Sequence, residues 1–124
     1  MDIKRTSKIN KRPYKLTSLD WVKIFSSIAE MEKALPPKQP RLLIVRDKRI
    51  CLVRGSHQLL AVEDTCPHNG ESLSKGSVNY LDEIVCPWHG QQFSLKTGRE
   101  CSERSRDLVT YPLKQDSEGI FIGI

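Results

Sequence analysis

The chain has 124 residues, 38% hydrophobic and 28% charged, with a formal net charge of +5 at neutral pH. That length supports one domain with its own core rather than a catalytic domain plus an accessory one, and no apolar run approaches the roughly 20 residues that span a bilayer. The positive charge is concentrated at the start, where Lys4, Arg5, Lys8, Lys11, Arg12 and Lys15 stand against Asp2 alone; the rest is balanced and has no basic stripe interleaved with aromatics, which argues against a nucleic-acid-binding protein.

Residues 1–19 are expected to form a basic, solvated tail and residues 20–124 the domain. The opening "MDIKRTSKINKRPYKL" has neither the apolar stretch of a signal peptide nor the one-faced charge of a transit peptide. Four cysteines without an export address favour the reducing cytoplasm, where thiols serve metals or catalysis more often than disulfides. "WVKIF" at 21–25 reads as a strand, with Trp21 anchored in the core. In "SSIAEMEKALPP", Ser27 and Glu30 have capping-box spacing, Ile28, Met31 and Leu35 share a face, and Pro36-Pro37 stop a short helix.

From residue 41 the pattern turns to strands: "RLLIVR", a turn at Asp47-Lys48, "RICLVR", a two-residue type II′ turn at Gly55-Ser56, and "QLLAVED" leading toward Cys66. Leu42, Ile44, Ile50, Leu52, Leu60 and Val62 are the core candidates. "DEIVC" at 82–86, "QQFSL" at 91–95, "LVTYPL" at 108–113 and "GIFIGI" at 119–124 add short strands, and Thr97-Gly98 marks a hairpin tip. Many short strands between Gly, Pro, Asp and Ser turns indicate an all-β antiparallel sandwich or barrel.

Two near-copies carry the chemistry. "CPHNGESL" begins at Cys66 and "CPWHGQQF" at Cys86, and together they hold two of the four cysteines and two of the three histidines. The pattern is Cys66-x-His68, 17 intervening residues, then Cys86-x-x-His89. Each loop offers one thiolate and one imidazole, and Pro67, Gly70, Pro87 and Gly90 supply the turns that let them converge. Three readings stand at this point: a structural zinc site, an iron-sulfur centre, or two unrelated turns. Zinc fingers pair two Cys in one knuckle and two His in the other, whereas mixed loops suit a [2Fe-2S] centre with both thiolates on one iron and both imidazoles on the other. Cys51 reads as a small core residue, Cys101 as an unremarkable thiol and His57 as an exposed turn residue. Trp88 reads either as a shield or docking residue for the centre or as packing between the loops.

Cys-Pro-His-Asn-Gly, Leu-Ser-x-Gly at 73–76, Cys-Pro-Trp-His-Gly, Phe93 and Thr97-Gly98 together resemble the Rieske [2Fe-2S] family, and the strand pattern from Trp21 onward is similar to its single-domain ferredoxins. The resemblance implies a Rieske-like antiparallel β-sandwich or partly open barrel, with a cluster-binding subdomain of two loops at about 64–98. It implies one [2Fe-2S] cluster per chain, with Cys66 and Cys86 on one iron and His68 and His89 on the other. Neutral imidazoles leave the oxidised centre formally uncharged, which raises the potential relative to four-thiolate clusters, to roughly −150 to +300 mV. The high-potential members have a Cys in each loop, forming a disulfide, and a Ser after the second His-Gly. Glu71, Trp88 and Gln91 stand there in this chain, which implies a low potential.

The resemblance implies an electron carrier rather than an autonomous enzyme, with no catalytic residues. Its partners would be a flavin- or NAD(P)H-dependent reductase and a terminal oxygenase. A complete oxygenase would need a second, mononuclear iron site, and no histidine follows Gly98 to build one. The alternatives are a small subunit of a nitrite-reductase-like complex and a zinc-stabilised interaction module that uses the basic tail.

Overall fold

A computed structural model of the chain describes residues 19–124; the basic tail therefore lies outside the described residues up to residue 18. At the centre is an antiparallel meander of β2 (Arg41–Val45), β3 (Lys48–Arg54) and β4 (Leu59–Glu63). Its inner strands are apolar on both faces. Cys51, Val53, Leu60 and Val62 enter one core cluster, while Ile50, Leu52 and Ala61 enter a second. Alternate residues of a strand point to opposite faces, so an unbroken apolar run marks a sheet covered on both sides.

One cover is an outer sheet in the order β1-β9-β8, made of β1 (Trp21–Phe25), β8 (Leu113–Asp116) and β9 (Gly119–Gly123). It contributes Val22, Ile24, Leu113 and Ile122 to the second cluster. The other cover is a small meander of β5 (Ser77–Val78), β6 (Glu83–Val85) and β7 (Gln92–Ser94), preceded by a 3-10 turn over Leu73–Lys75. Leu73, Ile84, Phe93 and Leu95 complete the first cluster. The all-β expectation holds as three small antiparallel sheets, and among the described residues none closes into a barrel. Among the described residues, too, no helix is long and apolar enough to cross a membrane.

The expected helix is α1 (Ile28–Ala34): the Ser27 hydroxyl accepts the Glu30 N–H at 3.1 Å, and the Glu30 carboxylate accepts the Ser26 N–H at 2.6 Å. Other local expectations are corrected. The first hairpin turns at Arg46-Asp47, one residue earlier than expected, with both residues at positive φ (49° and 68°) and Val45 paired to Lys48. This is a type I′ geometry built without glycine. Gly55 does not form a type II′ turn. It opens a four-residue loop closed by Gly55 N–H to Gln58 C=O at 2.9 Å, and a Cβ there would lie 2.9 Å from Leu60 Cδ1. Close packing explains that glycine.

Ile44 is 59% exposed and Leu42 only half-buried, because edge strand β2 turns Leu43 and Val45 to the second cluster and the alternate residues to the opposite face, where neither joins a core cluster. Trp21 is 40% exposed on the edge strand β1, under the Lys114 ammonium at 4.7 Å, and is not a core anchor. "LVTYPL" does not form a named strand. Residues 109–111 pair with β4 through Glu63 N–H to Val109 C=O and Tyr111 N–H to Ala61 C=O, both 2.9 Å. Pro112 then lacks the N–H needed to continue, and β8 begins one residue later.

Candidate metal centre

The two Cys loops leave the ends of β4 and β6 and share one backbone circuit. The Cys66 N–H donates to Glu71 C=O at 2.8 Å, and the Cys86 N–H donates to Gln91 C=O at the same distance. The fifth residue of each loop, Gly70 at φ 79° and Gly90 at φ 71°, takes the left-handed conformation that reverses the chain, with no heavy atom within 4 Å of where a Cβ would stand. These glycines serve conformation, not space. Histidine is third in the first loop and fourth in the second, and of the two only His89 sits at positive φ, 74°. Strained non-glycine backbone of this kind gathers at functional sites.

Cys66 and Cys86 are each 1% exposed and root the loops in the first core cluster. Both are free thiols. Burial pushes the Cys66 thiol up from its ordinary pKa. The backbone N–H groups of His68 and Asn69 oppose that by donating to its sulfur, and the neighbouring Cys86 adds to the rise. His68 and His89 are exposed at the loop tips, where His89 stacks on Trp88 with ring centroids 5.3 Å apart and planes at 14°. The structure thus buries the two thiols in one core cluster and leaves the two imidazoles exposed at the tips of the same loops. Among the described residues no three Cys, His, Asp or Glu side chains converge on one point.

Three residues the sequence reading did not single out hold the loops in place. Fully buried Asp64 accepts from the Ser72 hydroxyl and from the Ser74 N–H at 2.7 Å, with Arg49 at 3.7 Å. Its own C=O takes the Leu73 N–H at 2.6 Å, so it ties the strand entering the first loop to the turn leaving it. Asp82, 5% exposed, accepts from Lys38 Nζ at 2.6 Å, Ser56 N–H at 3.0 Å and Ser56 Oγ at 3.1 Å. It fastens the β5–β6 turn to the central sheet. Asn69 spans the two loops: Oδ1 accepts the Glu71 N–H at 2.9 Å, while Nδ2 reaches Trp88 C=O at 3.4 Å and Cys86 Sγ at 3.8 Å. The polar type of each was visible in sequence; its partners were not. Cys51 is a core residue with no exposure and Cys101 an exposed thiol, as expected; His57 is exposed too.

Two soft sulfur donors buried in one core cluster, one with N–H groups beside it, in loops that each also carry an exposed imidazole, fit a centre that takes both donor types. As free buried thiols they would waste those donors, because an S–H accepts hydrogen bonds weakly and a metal-bound thiolate accepts them well. The chain matches the family model for the Rieske [2Fe-2S] domain over residues 25–112. It belongs to the Rieske [2Fe-2S] family.

Membership brings one [2Fe-2S] cluster to this Rieske chain and decides against the zinc and chance-turn readings. The chain is 32% identical, over 71% of its length and 84% of the relative's, to the 3-phenylpropionate/cinnamic acid dioxygenase ferredoxin subunit of Shigella boydii serotype 4. Among solved structures it is similar to a chain in the complex of reduced oxygenase and oxidised ferredoxin in carbazole 1,9a-dioxygenase, with TM-score 0.68, 27% identity and coverage of 82% and 91%. It is also similar in fold, with TM-score 0.72, 20% identity and coverage of 86% and 96%, to a protein described as the small subunit of an NADH-dependent nitrite reductase from Mycobacterium tuberculosis. Both structures share this fold, so the fold alone does not choose between their functions.

Proposed function

We propose that Cys66 and Cys86 hold one iron and His68 and His89 the other, and that the chain carries one electron at a time from a flavin- or NAD(P)H-dependent reductase to a terminal oxygenase. The observation that carries this reading is the pair of thiols buried in one core cluster, in two loops that share the same Cys N–H closure, each with a histidine at its exposed tip. When bound, a [2Fe-2S] cluster supplies a one-electron couple. The protein's part is to hold the sulfurs in a dry, N–H-lined position and keep the imidazole edges at the surface, where electrons enter and leave. His89 is oriented by its stack on Trp88.

The carrier role draws on the 32%-identical relative, named a ferredoxin subunit of a dioxygenase, and the oxygenase partner on the carbazole dioxygenase complex. On this reading the chain is not itself a catalyst. Its domain is residues 20–124, with the cluster loops at about 64–98, and it works in the cytoplasm, consistent with four free cysteines. Gln91 points to a low potential. It is buried with Oε1 unpartnered, and it stands where a serine hydroxyl would stabilise a reduced, more negative centre.

The test is metal analysis and EPR of the purified, reduced protein together with its His68→Cys and His89→Cys variants. A reddish-brown protein with two irons per chain and a rhombic signal that each variant alters or abolishes is expected. Stoichiometric zinc in a colourless protein, or an unchanged signal in both variants, would overturn the assignment.

A further inference from the structure

We propose that Asn69 is a positioning residue that donates a side-chain N–H to the Cys86 sulfur and thereby raises the reduction potential of the centre; this rests on the ligand assignment just given. Asn69 belongs to the first loop, yet its carboxamide lies against the second. The direction of the amide follows from its contacts. Oδ1 already accepts the Glu71 N–H at 2.9 Å, so a flipped amide would set NH2 against N–H. Nδ2 is therefore the end that faces Trp88 C=O at 3.4 Å and Cys86 Sγ at 3.8 Å.

With Cys86 as a thiol the contact is ambiguous, because the S–H also lies within reach of Oδ1 at 3.9 Å. Ligation removes the ambiguity. A metal-bound thiolate has no proton to give, so donation from Nδ2 is the one hydrogen bond left, and it becomes charge-assisted. Hydrogen bonds to cluster sulfurs favour the reduced, more negative state, so this side chain opposes the lowering ascribed to Gln91.

The two loops align residue for residue, which makes the placement specific. Asn69 is the fourth residue of its loop, as His89 is of the other. The position that provides a ligand in one loop provides a cross-loop donor in the other.

The experiment is a redox titration of the cluster-loaded wild type, Asn69→Ser and Asn69→Asp, with iron content, circular dichroism and EPR on the same samples. Serine keeps an oxygen for the Glu71 N–H but is too short to reach Cys86, and aspartate keeps the shape while exchanging the donor for an anionic acceptor. The expected result is a midpoint potential that falls from wild type to serine and further to aspartate, at equal cluster content. A role in loop closure alone would lower cluster retention and leave the potential where it was. Wild-type potentials in loaded variants would overturn the proposal, as would loss of the cluster from both variants with the fold intact. If the wild type itself gave no rhombic signal, the ligand assignment would fail first and this inference with it; an intact wild-type signal with unmoved variants refutes the role of Asn69 alone.

Discussion

Replacing Gly76 by alanine tests whether the geometry of the second cysteine is set from outside its loop. Gly76 has a negative φ of −88°, so backbone conformation alone predicts a tolerant site. Space predicts the opposite. A Cβ at residue 76 would stand 2.0 Å from Val85 O, 3.1 Å from Val85 C and 3.2 Å from Leu73 O. Ordinary carbon–oxygen contact needs about 3.3 Å, so the Val85 carbonyl would have to retreat by about 1.3 Å. It cannot swing away as a side chain would, because Val85 is paired with Ser77 in the β5–β6 ladder and its peptide leads into Cys86.

Overpacking costs about 1–3 kcal/mol, and a backbone obstacle puts Gly76→Ala near the upper end. At about 4 °C per kcal/mol for a domain of this size, the melting temperature should fall by about 12 °C. Gly70→Ala is the control. It has no atom within 4 Å but sits at φ 79°, so it should incur only the left-handed penalty of about 1–2 kcal/mol. Thermal melts and urea midpoints of the loaded proteins, with iron content, give the readout. Gly76→Ala should also lose cluster, since Cys86 moves relative to Cys66. A melting temperature for Gly76→Ala equal to or above that of Gly70→Ala would refute the reasoning.

Burial would raise the Asp82 carboxyl, but the Lys38 ammonium and the Ser56 N–H and hydroxyl together hold it below its ordinary value. A pKa lowered by folding stabilises above the unfolded carboxylate range of about 4 and is lost as pH falls through the lowered value. Asp82→Asn should therefore cost stability at pH 7 in urea unfolding, with the gap to wild type narrowing below about pH 4; a constant gap would count against the Lys38 pair. Cys101, although exposed, has its thiol pKa raised by burial of the sulfur and by the Glu83 carboxylate that accepts its S–H at 3.3 Å, with Glu100 adding to the effect. Iodoacetamide at pH 8 should label it more slowly than a free thiol, and Glu83→Gln should speed the reaction; equal rates would remove that contact. Of the two tryptophans, Trp88 lies between Cys86 and His89 and Trp21 on the outer sheet. Cluster loading should quench emission strongly in Trp21→Phe, where Trp88 is the sole emitter, and less in Trp88→Phe; equal quenching would place Trp88 away from the centre.

What could be read from the sequence divides along physical lines. Ser27 and Glu30 announced a cap because capping is local, and the glycines after each Cys-Pro pair announced turns because reversal of the chain needs positive φ. Ile44 and Trp21 were misassigned because strand pattern tells which residues share a face, not which face another layer covers. The turn at Arg46-Asp47 carried no glycine to mark it. In the site, cysteine and histidine stand out by type. Asp64, Asn69 and Asp82 do not, since polar residues in loops are ordinary and their roles come from distant partners such as Lys38, 44 residues from Asp82.

The same distinction bears on why the two loops are alike yet not interchangeable. Both have the run Cys-Pro-x-x-Gly and the same six-residue backbone closure, so the protein makes one kind of loop twice. Their third and fourth positions are filled in complementary fashion: His68 and Asn69 in the first, Trp88 and His89 in the second. Each loop therefore has one position with an imidazole and one without, and the residue without it serves across or along the tip. Trp88 stacks on His89, and Asn69 reaches Trp88 C=O and Cys86. A strict repeat with histidine third in both loops would lose one of these two functions, since Trp88 could not stack on His89 with its own place taken. On the proposed ligand set, the departure from symmetry is what lets two copies of one turn both bind and brace a single centre.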